Sequence, residues 1–289
     1  MNQKASGSKK KPPLRWLISG VSGGLGRALA LAALERGDSV AGTVRESEQA
    51  MEFEALAPGR SLAYLCDMGD PLRVQKTVSC TNKALKGLDV VVNNAGYVLA
   101  GAVEEVSEEQ LRLVMEKNFF RALHFTRTAL PYLRARGGGH IVNISSQEGF
   151  AGSAALGLYN ASKFALEGLS EALYEELRPH NIRVTIVEPG PYQSAWGGNA
   201  MVWADQEMDV YAAGRQALRE LLGNQKVPSV EAAAQAILQV VDSPNPPLRL
   251  PLGESSLQRV KDKVAALQAE LAQWEAFTLE SEKVNISAG

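Results

Sequence analysis

Cysteine and histidine are almost absent. The 289 residues hold two of the first, Cys66 and Cys80, and three of the second, His124, His140 and His180. Two cysteines make no disulfide framework and no CxxC occurs, so a reducing, cytoplasmic compartment is expected. With so few thiols and imidazoles, no metal site is expected either. An excess of one charge is also lacking: 30 Lys and Arg stand against 32 Asp and Glu. That balance argues against nucleic acid or an anionic membrane surface as the main partner. No apolar run reaches the ~18–20 residues that span a bilayer. What the chain does have is an ordinary globular composition, 45% hydrophobic and 21% charged, and 26 glycines. Glycine in such number points to tight turns and close backbone approaches. The length allows one large or two ordinary domains.

Residues 1–13 read as a flexible polar tail with a Lys9-Lys10-Lys11 run. Beyond it, apolar runs alternate with helical patterns. Strands are expected at Leu14–Ser19, Ser39–Val44, Ser61–Leu65, Leu88–Val92, His140–Ser145 and Ile182–Val187. Helices are expected at Leu25–Arg36, Ser47–Leu56, Pro71–Leu85, Glu108–Arg136 and Leu156–Arg178. Strands apolar on both faces and alternating with helices imply a parallel sheet covered on both sides, hence a doubly wound α/β (Rossmann) fold. After Pro191 the rhythm fades: 197–225 is mixed, Val230–Val241 is helical, and Leu248–Leu250 reads as a last strand. We therefore expect one catalytic unit over 14–252, with a small lid near 192–226 and a helical extension over 253–289. In that extension Leu257, Val260, Val264, Leu267, Leu271 and Trp274 follow a 3-4-3-4-3 spacing, the seam of an amphipathic helix. It is expected to pack on its own domain, with a subunit contact as the alternative.

The first strand runs into Ser19-Gly20-Val21-Ser22-Gly23-Gly24-Leu25-Gly26 and then a helix. Glycines let this turn approach a ligand, and the helix N-terminus offers free N–H groups to a pyrophosphate. A rival reading exists, because Gly20-Val21-Ser22-Gly23-Gly24 matches a G-x-S-x-G nucleophile elbow. A serine hydrolase built on Ser22 would need a later His, and none follows His180.

Other polar residues fall at expected strand C-ends, where open α/β sheets bind ligands. They are Asp67, Asn93-Asn94-Ala95-Gly96, Ser145-Ser146 and Glu188-Pro189-Gly190. Tyr159 and Lys163 stand four apart on one helix face. A Lys ammonium beside a phenol favours the phenolate, which would make Tyr159 a proton donor or acceptor near neutral pH.

Together these residues resemble the short-chain dehydrogenase/reductase family over roughly Leu14 to Ser194. The family's T-G-x-x-x-G-x-G appears as Ser19-Gly20 to Gly24-Leu25-Gly26, its N-N-A-G as Asn93–Gly96, and its Y-x-x-x-K as Tyr159 and Lys163. Ser19 in place of Thr keeps the hydroxyl. The resemblance implies a catalytic tetrad of Asn118, Ser146, Tyr159 and Lys163. Tyr159 would give a proton to a substrate carbonyl as hydride arrives, and Ser146, preferred over Ser145 by its spacing to Tyr159, would hold the oxygen. Lys163 would lower the Tyr159 pKa, and Asn118 would keep a water in a relay to Lys163. The resemblance also implies a nicotinamide cofactor bound by Gly20, Ser22, Gly23, Gly24, Leu25 and Gly26 at the phosphates. Asp67 and Met68 would meet the adenine and Asn94, Ala95 and Gly96 the ribose, with Tyr159, Lys163, Pro189, Gly190 and Ser194 at the nicotinamide end.

After the second strand an enzyme choosing NAD usually carries an acid. Here Val44 takes that place and Arg45 follows, a guanidinium suited to a 2′-phosphate. NADP(H) is the expected cofactor and NAD(H) the alternative. The expected substrate pocket is Leu99, Gln147, Glu148, Phe150, Tyr192 and Trp196, with Val98, Met201 and Trp203 nearby. A mostly apolar set suits a lipophilic or cyclic small-molecule ketone or alcohol, with Glu148 either reading a polar substrate group or lying in solvent. An NADP(H)-binding sensor without turnover is the alternative function. Family members pair the long helices, here Glu108–Arg136 and Leu156–Arg178, so a homodimer or homotetramer is expected.

Overall fold

The computed structural model describes residues 12–192, 201–224 and 227–281. Ser194 and Trp196, from the expected cofactor and substrate sets, lie outside the described residues.

In chain order the first half runs β1 (Arg15–Ile18), α1 (Gly24–Arg36), β2 (Ser39–Val44), α2 (Ser47–Glu54), β3 (Ser61–Leu65), α3 (Pro71–Leu85), β4 (Val90–Asn93) and β5 (Val98–Ala100). Then come α4 (Glu108–Met115), α5 (Arg121–Ala135), β6 (Gly139–Ile144), α6 (Gly157–Leu177), β7 (Ile182–Pro189), β8 (Met201–Trp203), α7 (Ala212–Asn224), α8 (Val230–Asp242), β9 (Arg249–Leu252) and α9 (Glu254–Ser281). Seven strands form one parallel sheet in the order β3-β2-β1-β4-β6-β7-β9. The order reverses between β1 and β4, the point where doubly wound sheets open a crevice at the strand C-ends.

The strands are apolar on both faces because each face is covered. On one side Trp16, Ile18, Val90 and Val92 pack against Leu29, Ala33, Ala234 and Ile237 of α1 and α8. On the other, Leu17, Val91 and Ile141 pack against Phe125, Ala129, Leu133 and Leu173 of α5 and α6. Helix starts follow local chemistry. Asp70 accepts from the N–H groups of Leu72 and Arg73 ahead of α3, with Pro71 at its first position. Gly37, at φ +102°, ends α1 in the left-handed region that glycine adopts without strain.

Two expectations need correction. The helix expected over Glu108–Arg136 is interrupted by a π-helical turn at Glu116–Phe120, where the wider spiral inserts a residue between α4 and α5. Such turns concentrate at functional sites. The mixed region contributes a second sheet, β5 paired with β8, so Leu99 sits in a strand opposite Val202. Ion pairing holds this small layer down. Arg215 of α7 is buried against Glu105, whose carboxylate also accepts from the N–H groups of Ala102 and Met208.

Candidate active site

The turn after β1 is held by side chains from β4's end. Ser19 Oγ accepts from the N–H groups of Asn94 (2.9 Å) and Ala95 (3.0 Å). Asn94 Nδ2 donates to the carbonyls of Ser19 and Gly20, each at 3.0 Å. The turn is thus stitched to the neighbouring strand with Ser in the family's Thr position. Gly20 (φ +74°) and Gly24 (φ +57°) lie in the left-handed region. A Cβ at Gly26 would fall 2.2 Å from the Gly20 carbonyl oxygen, so only glycine allows α1 to close on the turn. A Cβ at Gly23 would meet nothing within 4 Å. Gly23 is also the N-cap of α1 and provides no side-chain bond. The first N–H groups of α1 and the open face at Gly23, beside exposed Ser22 and half-buried Leu25, fit a pyrophosphate.

At the end of β2 Val44 is buried and Arg45 exposed. No carboxylate of the described residues pairs with the Arg45 guanidinium. Lys117, over the Tyr97 ring at 4.6 Å, is held below the ordinary lysine range by burial, then by Arg121 and Arg45. Asp67 is exposed and lies 3.5 Å from Arg121. Met68 departs from expectation. Its side chain is buried in the core beneath the sheet, which leaves only its backbone to face a ligand.

The four tetrad candidates converge at the C-ends of β4 and β6 (Gly139–Ile144). The Ser146 hydroxyl lies close enough to Tyr159 to pull the phenol's pKa down, while the Ser145 hydroxyl acts in the same way on Glu167. The two adjacent serines thus face opposite ways, and Ser146 is the one beside the phenol. Lys163 Nζ lies 5.9 Å from the centre of the Tyr159 ring and donates to the Ile144 carbonyl at 2.9 Å. Asn118 sits in the π-helical turn. Its Oδ1 accepts from the Tyr97 N–H (3.0 Å), and its Nδ2 donates to the Tyr97 carbonyl (2.9 Å) and Ser162 Oγ (3.0 Å). A Cβ at Gly96 would lie 2.9 Å from Asn118 Oδ1 and 3.7 Å from Lys163 Nζ, so Gly96 keeps the space between them open. Pro189 ends β7, and buried Gly190 follows against the start of α9.

The electrostatics differ from those the Tyr-Lys spacing suggests. Burial pushes the Tyr159 phenol up to about 12, against the lowering pull of the Ser146 hydrogen bond. Burial likewise pushes Lys163 down to about 8. In the protein without ligand the phenol is therefore neutral, the form that can donate a proton. Behind Lys163 lies a buried acid that sequence reading missed. Glu167 is held up to about 7 by burial, which outweighs the Ser145 hydroxyl and Arg249. Its folded pKa exceeds the unfolded 4.5, so its stabilising contribution is complete below pH 4.5 and is lost as pH rises through about 7. We expect Glu167→Gln to flatten that fall. Urea unfolding of both proteins at pH 4.5 and pH 7 measures it, and equal slopes would overturn it. His140, pushed down to about 3 by burial, slopes the other way but is common to both proteins.

The expected pocket residues divide. Phe150 is half-buried beneath the Arg249 guanidinium, 5.2 Å from its ring centre. Leu99 and Tyr192 are buried, Tyr192 within the core cluster of β1 (Arg15–Ile18). Glu148 neither lies in solvent nor offers a free carboxylate. It is buried, accepts from Ser153 Oγ (2.6 Å) and Asn160 Nδ2 (3.0 Å), and lies 3.5 Å from Arg259 of α9. Gln147 Oε1 is bonded by Ser255 at 3.2 Å. Arg259 and Ser255 come from far along the chain, and no local spacing signals them.

Comparison with known proteins agrees with this geometry. The short chain dehydrogenase family profile matches residues 15–204. Human retinol dehydrogenase 8 is 34% identical over 82% of this chain and 80% of its own. A short-chain dehydrogenase from Streptomyces avermitilis superposes with a TM-score of 0.87 at 36% identity, covering 96% of this chain and all of that one. One from Burkholderia cenocepacia, solved in complex with NADP, superposes at 0.71 with 25% identity over 90% of this chain and 97% of that one. A matching profile, relatives along most of the chain and a sheet with its switch point at the glycine turn agree: the chain belongs to the short-chain dehydrogenase family and is an oxidoreductase of that family.

Proposed function

We propose that the enzyme interconverts a lipophilic or cyclic ketone and its secondary alcohol with NADP(H), preferring it to NAD(H). The carrying observation is the buried Tyr159 phenol, with Ser146 and Lys163 beside it, at the same C-terminal sheet edge as the glycine cradle. Bound NADP(H) supplies or accepts the hydride. Tyr159 Oη gives its proton to the substrate oxygen during reduction, and Ser146 holds that oxygen by a hydrogen bond. Lys163, 5.9 Å from the ring centre, returns a proton to the phenolate that remains, and Asn118 in the widened turn keeps a water in the relay to Lys163. Oxidation runs the same transfers backward.

Arg45 supports the choice of NADP(H). It is exposed at the end of β2, buried Val44 stands where an acid would, and no carboxylate of the described residues neutralises it. The Burkholderia neighbour is an NADP complex. The lipophilic substrate is supported by Phe150 and by the human relative's name, since retinol is a lipophilic alcohol. Free Cys66 and Cys80 suit a cytoplasmic setting, and we read the long helices as subunit contacts of a homo-oligomer. The test is kcat/KM for NADPH and NADH on a panel of lipophilic ketones, in the wild type and Arg45→Ala. Losing one guanidinium–phosphate contact should cut the NADPH preference by roughly tenfold or more. An unchanged ratio would refute the Arg45 assignment, and activity confined to small charged substrates would refute the lipophilic reading.

A further inference from the structure

Helix α9 begins anchored and ends bare. Ser256 Oγ donates to the Glu188 carbonyl at 2.6 Å, and Arg259 donates to the carbonyls of Ala151 (3.1 Å) and Gly152 (2.9 Å). From Val264 to Ser281 every residue is exposed. The expectation that this helix packs on its own domain therefore holds only for its first turns. The bare stretch carries Val264, Leu267, Leu271 and Trp274 in the 3-4 spacing of a coiled-coil seam, with Leu271 71% exposed and Phe277, its ring against Trp274, 65% exposed. Helical stability in proteins comes mostly from a packed apolar face, and this stretch has none packed among the described residues. A continuous apolar stripe of this size also marks an interaction surface.

Charge identifies what covers it. Lys261 and Lys263 lie before the bare stretch, whereas Glu270, Glu275 and Glu280 follow, and no Lys or Arg occurs between Val264 and Ser281. Two copies side by side in the same direction would set acid against acid. Two copies in opposite directions set each lysine end against the other's acidic end and oppose the helix dipoles. An anionic lipid surface would meet the acidic half of the helix. We propose that α9 pairs with α9 of a second copy as an antiparallel two-helix coil. The two-fold axis lies near Leu267–Leu271, so Leu267 packs on the second copy's Leu271, and Lys261 lies beside its Glu275. The contact is self-complementary, as a two-fold interface requires, and it does not depend on the catalytic reading.

Sedimentation of the full chain over a range of concentrations tests it. Leu271→Glu should weaken one association step by about a hundredfold, the loss expected when one leucine per copy leaves an apolar contact. Circular dichroism should be unchanged, because Leu271 is 71% exposed and has little packing among the described residues to lose. Lys261→Glu should weaken the same step, and adding Glu275→Lys should restore it. Gln268→Cys, at the centre of the flank that carries Lys261 and Glu275, should form a covalent dimer under mild oxidation that the wild type, with Cys66 and Cys80, does not. Unchanged association in Leu271→Glu overturns the proposal. So does failure of the charge swap to restore it, or a variant whose only loss is binding to phosphatidylcholine vesicles.

Discussion

Tyr159→Phe lowers kcat by about a thousandfold or more and leaves the dissociation constant for NADPH where it was. General acid catalysis contributes roughly 10²–10⁴-fold, and no group beside this phenol among the described residues can replace it. Ser146 is a far weaker acid, and the Lys163 ammonium is turned to the Ile144 carbonyl. The substitution removes one oxygen and keeps the ring, so the buried side chain still fills its place between Leu156 and Leu218. Ser146 Oγ keeps a partner, the Glu148 N–H at 3.1 Å. Fluorescence titration with NADPH separates binding from chemistry, and single-turnover oxidation of NADPH measures the chemical step. Turnover within tenfold of wild type would remove Tyr159 from the mechanism, and a parallel loss of NADPH binding would make its role structural.

Arg249→Met costs about 3–5 kcal/mol of stability, the usual loss when one partner of a buried ion pair is removed. Arg249 is the common partner of three carboxylates. It donates to Glu188 Oε1 at 2.8 Å and Glu171 Oε1 at 2.6 Å, and it pairs with Glu167. Glu188 is fully buried and Glu167 is 5% exposed. Water cannot take the guanidinium's place there, so both acids would have to bind protons for the chain to stay folded. Burial already raises both, and Arg249 is the cation that pulls them back. The loss therefore grows as pH rises from 4.5 past 7. Adding Glu188→Gln should recover part of it. Urea unfolding measures each step, and a loss below about 1 kcal/mol would class the cluster with surface pairs that contribute little.

These two predictions differ in how far they were legible. Tyr159 and Lys163 are one helical turn apart, and the glycine turn is eight consecutive residues, so their geometry is local. The Glu167–Arg249–Glu188 cluster joins β7, α6 and β9, with separations of 82 and 61 residues. No pattern in a single sequence pairs such distant charges. Glu148 shows the same limit. Its place in the loop after Ser146 suggested a pocket wall, yet Asn160 and Arg259 draw it into the protein.

The strand and helix pattern, the parallel sheet and the glycine turn after β1 were determined by the sequence itself. They rest on hydrophobic periodicity and on glycine's access to positive φ, which act over a few residues. The preference for Ser146 over Ser145 came from the family resemblance, through its spacing to Tyr159. Only the tertiary structure decided that the phenol is neutral, that the long helix widens at Asn118, that β5 and β8 pair, and that α9 leaves the core with its seam uncovered. Each depends on what surrounds a residue after distant segments meet. Burial, which sets the cost of a charge, belongs to the folded chain and to no stretch of it.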